Sequence, residues 1–442
     1  MLHSIKLHNV GPSKDLEIEF SERINVLTGD NGVGKSFILD IAWWSLTRTW
    51  PAEINKSSLT GLKAKPSVPR DASIQFSLSS KSKKAINTVV QYDSKDKYWK
   101  RGAGRPSNPG LILYAQVDGG FSLWDPAKNY WKDKKIKETS EIIDIPDAFV
   151  LSYNEVMNGL SIDHGQKNIV WLCNGLINDW SSWQKENGKK FELLKKVISE
   201  LSPAPNESLS PGSLTRVGND VRDIPTIMMP DGIEVPILHA SAGIRRILCF
   251  AYMLVWAWTE HLYACEDDID SQTNQIIFMI DEIESHLHPK WQRSIIKSIM
   301  KSIELLETLG ASQLKTQLVI ATHSPLIMSS LEELFTSTTD SWFDFEIMRD
   351  GQNSEVHAIK REFSILGDVN SWLMSEAFDL KSARSLEFEK IFEQVKHVSE
   401  PDFTSFDKAK QIEKDLEKVL SRTDKFWGVW RSLLESKGWL ND

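Results

Sequence analysis

Four groups of residues in this chain have the types and spacing to handle phosphates. Gly29-Asp30-Asn31-Gly32-Val33-Gly34-Lys35-Ser36 fits G-x-x-x-x-G-K-[ST], a loop whose backbone N–H groups wrap nucleotide phosphates. In that pattern Lys35 reaches the β- and γ-phosphates, the Ser36 hydroxyl holds Mg²⁺, and Phe37 continues into a helix. Asp281-Glu282 follows the apolar run Ile276–Ile280, which places two carboxylates at the carboxyl end of a buried strand. Asp281 suits a magnesium ligand there, and Glu282 a general base that polarises an attacking water. His323, in Thr322-His323-Ser324-Pro325, ends the next apolar strand and falls beside the same phosphates. Ser241-Ala242-Gly243 opens a helix, where a hydroxyl, a glycine and free N–H groups make an anion site.

The elements that must position these groups are written around them. Strands are expected over His3–Val10, Leu16–Phe20 and Ile24–Thr28, the last leading into the glycine loop. Phe37–Trp44 reads as a buried helix whose N-terminal dipole faces the phosphates. Residues 51–70 read as a surface loop. Period-two patterning then runs from Ala72 to about Asp125, including the hairpin Leu111–Val117, Asp118-Gly119-Gly120, Phe121–Trp124. This predicts an antiparallel insertion rather than the next parallel unit. Asp147–Tyr153 is a further strand. Residues 164–201 have apolar positions at helical spacing, with Ile169, Trp171, Leu172, Leu176, Trp180 and Trp183 as core. Residues 202–230, with prolines at 203, 205, 211, 225 and 230, read as a linker. A long apolar helix follows from Ile244, a helix runs over Lys290–Leu305, and a hairpin at 343–359 precedes mostly helical chain.

Composition narrows the class. At 442 residues, 41% apolar and 26% charged, the chain has the make-up of a globular protein of two to three domains. Cys173, Cys249 and Cys265 lie far apart with no C-x-x-C, which points to a reducing, cytoplasmic setting and no structural zinc. His286 and His288 lack a third ligand for a metal pair. The longest apolar run, Ile247–Trp258, is too short to span a bilayer, so no membrane association is expected. Net charge is −9, yet residues 56–105 hold twelve Lys/Arg against three acids. That stretch is +9 against −18 elsewhere, and could touch nucleic-acid phosphates or simply be a solvated lysine-rich surface.

Taken together, the motifs resemble an ABC-type ATPase head of the RecF/SMC/OLD branch. Gly29–Ser36 resembles its Walker A loop, Ile276–Glu282 its Walker B strand with the catalytic glutamate, and Ser241-Ala242-Gly243-Ile244-Arg245 its signature. Glu284–Pro289 resembles the D-loop and His323 the switch histidine. The resemblance implies an α/β fold with a P-loop mixed or parallel sheet core, an antiparallel β lobe, a helical lobe and a C-terminal helical appendage. It implies boundaries at 1–154 and 236–360 for the two halves of the head, 155–235 for the helical lobe and 361–442 for the appendage. ATP and Mg²⁺ are the implied cofactors, with Lys35, Glu282 and His323 catalytic and Ser36 and Asp281 on the metal. The glutamine loop of the family falls where a strand hands over to the helical lobe, which points to Asn154; Gln116 has the right side chain but sits in a tight hairpin. Signature serines of the family act on ATP held by a second subunit, so a head-to-head dimer is implied.

Within that branch, Pro236–Arg246, Val117–Phe121 and Ala377–Ser385 resemble the PtuA-like ATPases of Septu and related retron defence systems. These work beside a separate HNH nuclease, and no nuclease motif is evident in this chain. The tail with Trp372, Trp427, Trp430 and Trp439 is a candidate docking surface for a partner or second copy, unless those residues pack the appendage. The alternatives are a RecF-like, ATP-gated clamp on DNA, with DNA or retron-type msDNA as ligand, and an ATPase partner of a Toprim-type effector.

Overall fold

The computed structural model describes the chain except residues 81–82, 101–106, 130–145, 164–168, 267–271, 311–312, 351–352, 379, 381, 401 and 440–442. Parts of the basic stretch and of the tail segment Ala377–Ser385 lie outside the described residues. Two compact units are present, Met1–Ile365 and Leu366–Asp442.

The first unit is built on an eight-stranded sheet in the order Asn353–Arg361, Asp340–Asp350, Ile24–Gly29, Lys315–Ala321, Gln275–Ile280, Leu111–Ala115, Phe121–Trp124, Phe149–Leu151. Its five strands from Asp340–Asp350 to Leu111–Ala115 run parallel, and each of the outer three pairs antiparallel with its inner neighbour. Strands buried on both faces need apolar residues at every position, which Ile276–Ile280 supplies with no exposed surface. Alternate residues then serve opposite layers. Ile277 and Met279 join Trp43 and Trp44 of the helix Lys35–Thr47, while Phe278 meets Phe250 of the helix Ala242–Ala264 edge-on at 6.1 Å. The core around Trp43 continues into a five-stranded antiparallel sheet, in the order Asp15–Glu19, Leu2–His8, Ser73–Ser80, Lys83–Asp93, Tyr98–Trp99. The result is an α/β architecture, a mixed core sheet with helices against it and an antiparallel sheet beside it.

Three expectations are corrected. Leu111–Ala115 is not part of the antiparallel insertion; it lies in the core sheet, parallel to Gln275–Ile280, and only Phe121–Trp124 pairs with it locally. The helix expected from 164 begins at Leu176, because Ile169–Cys173 is a strand paired with Leu160–Asp163. Its residues alternate in exposure, so Ile169 and Trp171 face solvent at 60% and 58% instead of entering the core. The linker at 202–230 instead carries Ser210–Thr215 and Ile224–Met228, which pair in a three-stranded sheet with Glu234–Pro236. The register of the first two strands shifts between Pro211 and Leu214.

The helix Ala242–Ala264 is buried along most of its length, and among the described residues no helix is long and apolar enough to cross a membrane. The second unit packs the helices Leu386–Ser399, Phe406–Val419 and Phe426–Ser436 around Phe388, Val398, Leu416 and Trp430. Trp372 and Trp430 are buried at 1% and 0%, so neither is available as a docking surface; Trp427 and Trp439 pack partly against the core of this unit.

Candidate functional site

The parallel arrangement brings four strand ends to one edge. The glycine loop leaves Ile24–Gly29, Thr322-His323 leaves Lys315–Ala321, Asp281-Glu282 leaves Gln275–Ile280, and Gln116 leaves Leu111–Ala115. Backbone bonds lock the edge: Thr322 N–H donates to Leu27 at 3.0 Å and Asp281 N–H to Ala115 at 2.9 Å. Ligands of open α/β sheets bind at such carboxyl ends. A cavity of about 220 Å³ opens there, lined by Asn31, Gly32, Gly34, Lys35, Ser36, Asp281, Glu282 and His323. Of the expected loop residues, Gly29, Asp30, Val33 and Phe37 stand outside this lining; Val33 is buried in the core and Phe37 packs against it.

The loop is braced from behind. Gly29 has φ +128°, and a Cβ there would stand 2.4 Å from the Phe345 carbonyl oxygen on Asp340–Asp350. Only glycine fits both the conformation and the approach. Lys35 is 5% exposed and turns back on its own loop, donating to the carbonyls of Gly29 at 2.8 Å and Asp30 at 2.9 Å. Burial lowers its pKa to about 8, opposed by the charges of Asp281, Glu284, Glu282 and Asp30. His323 Nδ1 stands 3.4 Å from the Lys35 ammonium. Burial and that cation both lower the pKa of His323, so its imidazole is neutral at pH 7.

Asp281 is 1% exposed, and neither carboxylate oxygen has a hydrogen-bond partner of good geometry among the described residues. Burial raises its pKa to about 6, with the Ser36 hydroxyl pulling the other way. A buried carboxylate with both oxygens free, beside a hydroxyl, is the oxygen donor set of a small hard cation. Glu282 adopts φ 45°, a left-handed conformation that few non-glycine residues take, and is only partly buried. Such strain costs about 1–3 kcal/mol and is typical of functional positions.

Glu284 has a role that the motif alone did not disclose. Its carboxylate accepts from the Thr322 hydroxyl at 2.8 Å and from the His323 N–H, fixing the turn that presents the imidazole. Asp40, one turn along the helix from Ser36, accepts from the Tyr114 hydroxyl at 3.0 Å; burial raises its pKa to about 7. Asn154 is exposed, its side chain bonds Asn158, and it does not line the cavity. Gln116 is likewise outside the lining; it is 1% exposed beside the Asp281 strand, and both ends of its amide lack partners among the described residues.

Ser241 caps the helix Ala242–Ala264, its hydroxyl accepting from Ile244 N–H at 3.3 Å. Ser241 and Ala242 are exposed and stand outside the cavity lining. Gly243 is buried, and a Cβ on it would lie 2.6 Å from the His286 carbonyl oxygen. His286 is exposed with φ 62°, and His288 Nδ1 accepts from Lys290 N–H, capping the short helix Pro289–Gln292.

The chain is similar to several known proteins. The chain is 22% identical over 385 residues to the retron Vc95 probable ATPase of Vibrio cholerae serotype O1 biovar El Tor, covering 75% of this chain and 71% of that protein. It is 23% identical over 334 residues to the Septu protein PtuA of Bacillus thuringiensis, covering 74% and 72%. The SMC head domain from Thermotoga maritima aligns with 82% of this chain and 99% of its own, at 14% identity and a TM-score of 0.39. Residues 24–329, which contain every strand end of the cavity, match a protein family described as "AAA domain, putative AbiEii toxin, Type IV TA system", and the chain belongs to that family.

Proposed function

We propose that the protein is an ATP-hydrolysing regulatory subunit that works as a head-to-head dimer and controls a separate nuclease in a prokaryotic defence complex. One observation carries the reading. Lys35, Ser36, Asp281, Glu282 and His323 share a cavity, while Ser241 and Ala242 stand exposed outside it. In this reading the cavity is one half of a shared site, and the exposed Ser241-Ala242 end is the half offered to a second copy. The relatives named above belong by name to retron and Septu systems, which supports the defence setting. The HNH class of the nuclease rests on the resemblance of Pro236–Arg246 and its companion segments.

In this reading the glycine-loop N–H groups and Lys35 hold the triphosphate, and Glu282 accepts the proton of the attacking water. Neutral His323, fixed by Glu284, hydrogen-bonds the γ-phosphate end. Ser36 and Asp281 would hold Mg²⁺, which supplies charge neutralisation of the β- and γ-oxygens. Gln116, with a buried amide lacking partners, takes the glutamine-loop position in preference to Asn154. Ser241, whose hydroxyl accepts from Ile244 N–H and donates to no group among the described residues, has a proton to offer the partner's γ-phosphate.

Turnover per subunit is expected to fall on dilution, following the loss of dimer seen by light scattering. Hydrolysis that stays constant per subunit in a population shown to be monomeric rejects the shared site. A nuclease retained through purification from the native operon tests the regulatory half, and its absence there rejects it.

Lys35 also sets a pH dependence. Its cation is complete below about pH 8 and is lost as pH rises through that value, whereas phosphate oxygens stabilise the charged form. Nucleotide binding above about pH 8 therefore takes up a proton, and Kd should rise by up to about tenfold per pH unit. Titration with a fluorescent ATP analogue between about pH 7 and 9.5 reads this directly. A flat profile assigns the cation elsewhere.

A clamp on nucleic acid is a second reading, favoured by exposed Lys95, Lys97 and Lys100 around Tyr98, itself 41% exposed. Salt-dependent binding to gapped DNA without a partner would support it.

A further inference from the structure

Arg246 is buried at 4% exposure one turn into the helix that Ser241 caps, and it forms no ion pair among the described residues. A buried cation without a carboxylate partner is costly, and the structure meets that cost with backbone carbonyls. One guanidinium nitrogen donates to the Gln116 carbonyl at 2.8 Å, and the other faces the Asp281 carbonyl at 3.4 Å. The Nε–H has no partner among the described residues, and the group lies 5.2 Å from the centre of the Phe250 ring. These two carbonyls end adjacent parallel strands; Asp281 lines the cavity, and Gln116 is buried at the end of the neighbouring strand.

Two other contacts make the same helix end part of that edge. The Gly243 backbone abuts the His286 carbonyl, leaving no room for a side chain. Between Arg246 and Gly243, residues 281 to 286 are held at both ends, and within them Glu282 and His286 occupy left-handed conformations. A helix packed at this density moves with its contacts rather than past them.

We propose that Arg246 is a positioning residue that makes the two ATP sites of the dimer interdependent. This rests on the reading that Ser241 serves a partner's nucleotide. When Ser241 closes on that nucleotide, the helix carries Arg246 with it, and the guanidinium aligns Gln116 and Asp281 in its own chain. Occupancy of one site thereby prepares the other. The fork of arginine is needed because two carbonyls on separate strands must be held at once, which a lysine ammonium with its single nitrogen does less well.

The test is the ATP dependence of hydrolysis in native protein, Arg246→Met and Arg246→Lys, each with ATP affinity measured separately. Native protein should show a Hill coefficient between about 1.3 and 2, as positive coupling of two sites requires. Both variants should bind ATP near native affinity, lose about tenfold in kcat without recovery at saturating ATP, and give a Hill coefficient near 1. If Arg246→Met fails to fold, Arg246→Lys keeps the charge and carries the test. Native kcat and Hill coefficient in the folded variant, or a Hill coefficient of 1 in native protein, overturn the proposal. Ser241→Arg measured in parallel separates the two ideas. Full hydrolysis by that variant removes the shared site itself, whereas its inactivity alongside an unimpaired Arg246 variant removes only the coupling.

Discussion

Glu282→Gln is expected to lower ATP hydrolysis by about 10²–10⁴-fold, the range a positioned general base contributes. The amide keeps the shape and the left-handed backbone of the glutamate but cannot take a proton from water. ATP affinity should stay near native, because the phosphates are held by the loop and Lys35. The dimer should accumulate in the ATP-bound state, visible as a larger species in light scattering with ATP than without. Asp281→Asn is the contrasting variant: it weakens the metal position, so its loss should depend on magnesium concentration. Native hydrolysis by Glu282→Gln would reassign the base, and Glu284 is then excluded in turn by its bonds to Thr322 and His323.

Ser241→Arg should bind ATP and fail to turn it over, with hydrolysis down by about 10²-fold or more through loss of an aligned donor and obstruction of closure. The substitution is mild within one chain. Ser241 is exposed, and losing its cap on Ile244 N–H costs about 0.5–2 kcal/mol. In the proposed dimer, the same arginine would meet the partner's phosphate site with a side chain far larger than the hydroxyl it replaces. Binding, by equilibrium titration, and hydrolysis, by phosphate release, must therefore separate. Joint loss of both would mean that Ser241 contributes within its own chain.

The residues that line the cavity were legible because their chemistry is written locally. A glycine loop before a helix, two acids after five apolar residues, and a histidine after another apolar run need no long-range information. Gln116 shows the limit. Asp118-Gly119-Gly120 advertises a hairpin, and that hairpin exists, but the strand before it also pairs in parallel with Gln275–Ile280, some 160 residues away. Local turn chemistry cannot report the second pairing. Ile169 and Trp171 misled for a related reason: apolar residues in a short run satisfy helical and strand spacing alike, and only exposure tells them apart. Arg246 is illegible in principle, since its partners are carbonyl oxygens, which every residue carries.

The contact between Gly29 and Phe345 bears on where the chain can be shortened. The family match ends at residue 329, before Asp340–Asp350 begins. Cutting there would remove the strand that flanks Ile24–Gly29, together with Asp340, which bonds Arg23 and the Ile24 N–H. The strand that carries the glycine loop would become a free sheet edge, apolar and open to pairing with other chains. A fragment trimmed to the recognisable span should therefore aggregate rather than bind nucleotide, and the smallest soluble version should extend through Arg361.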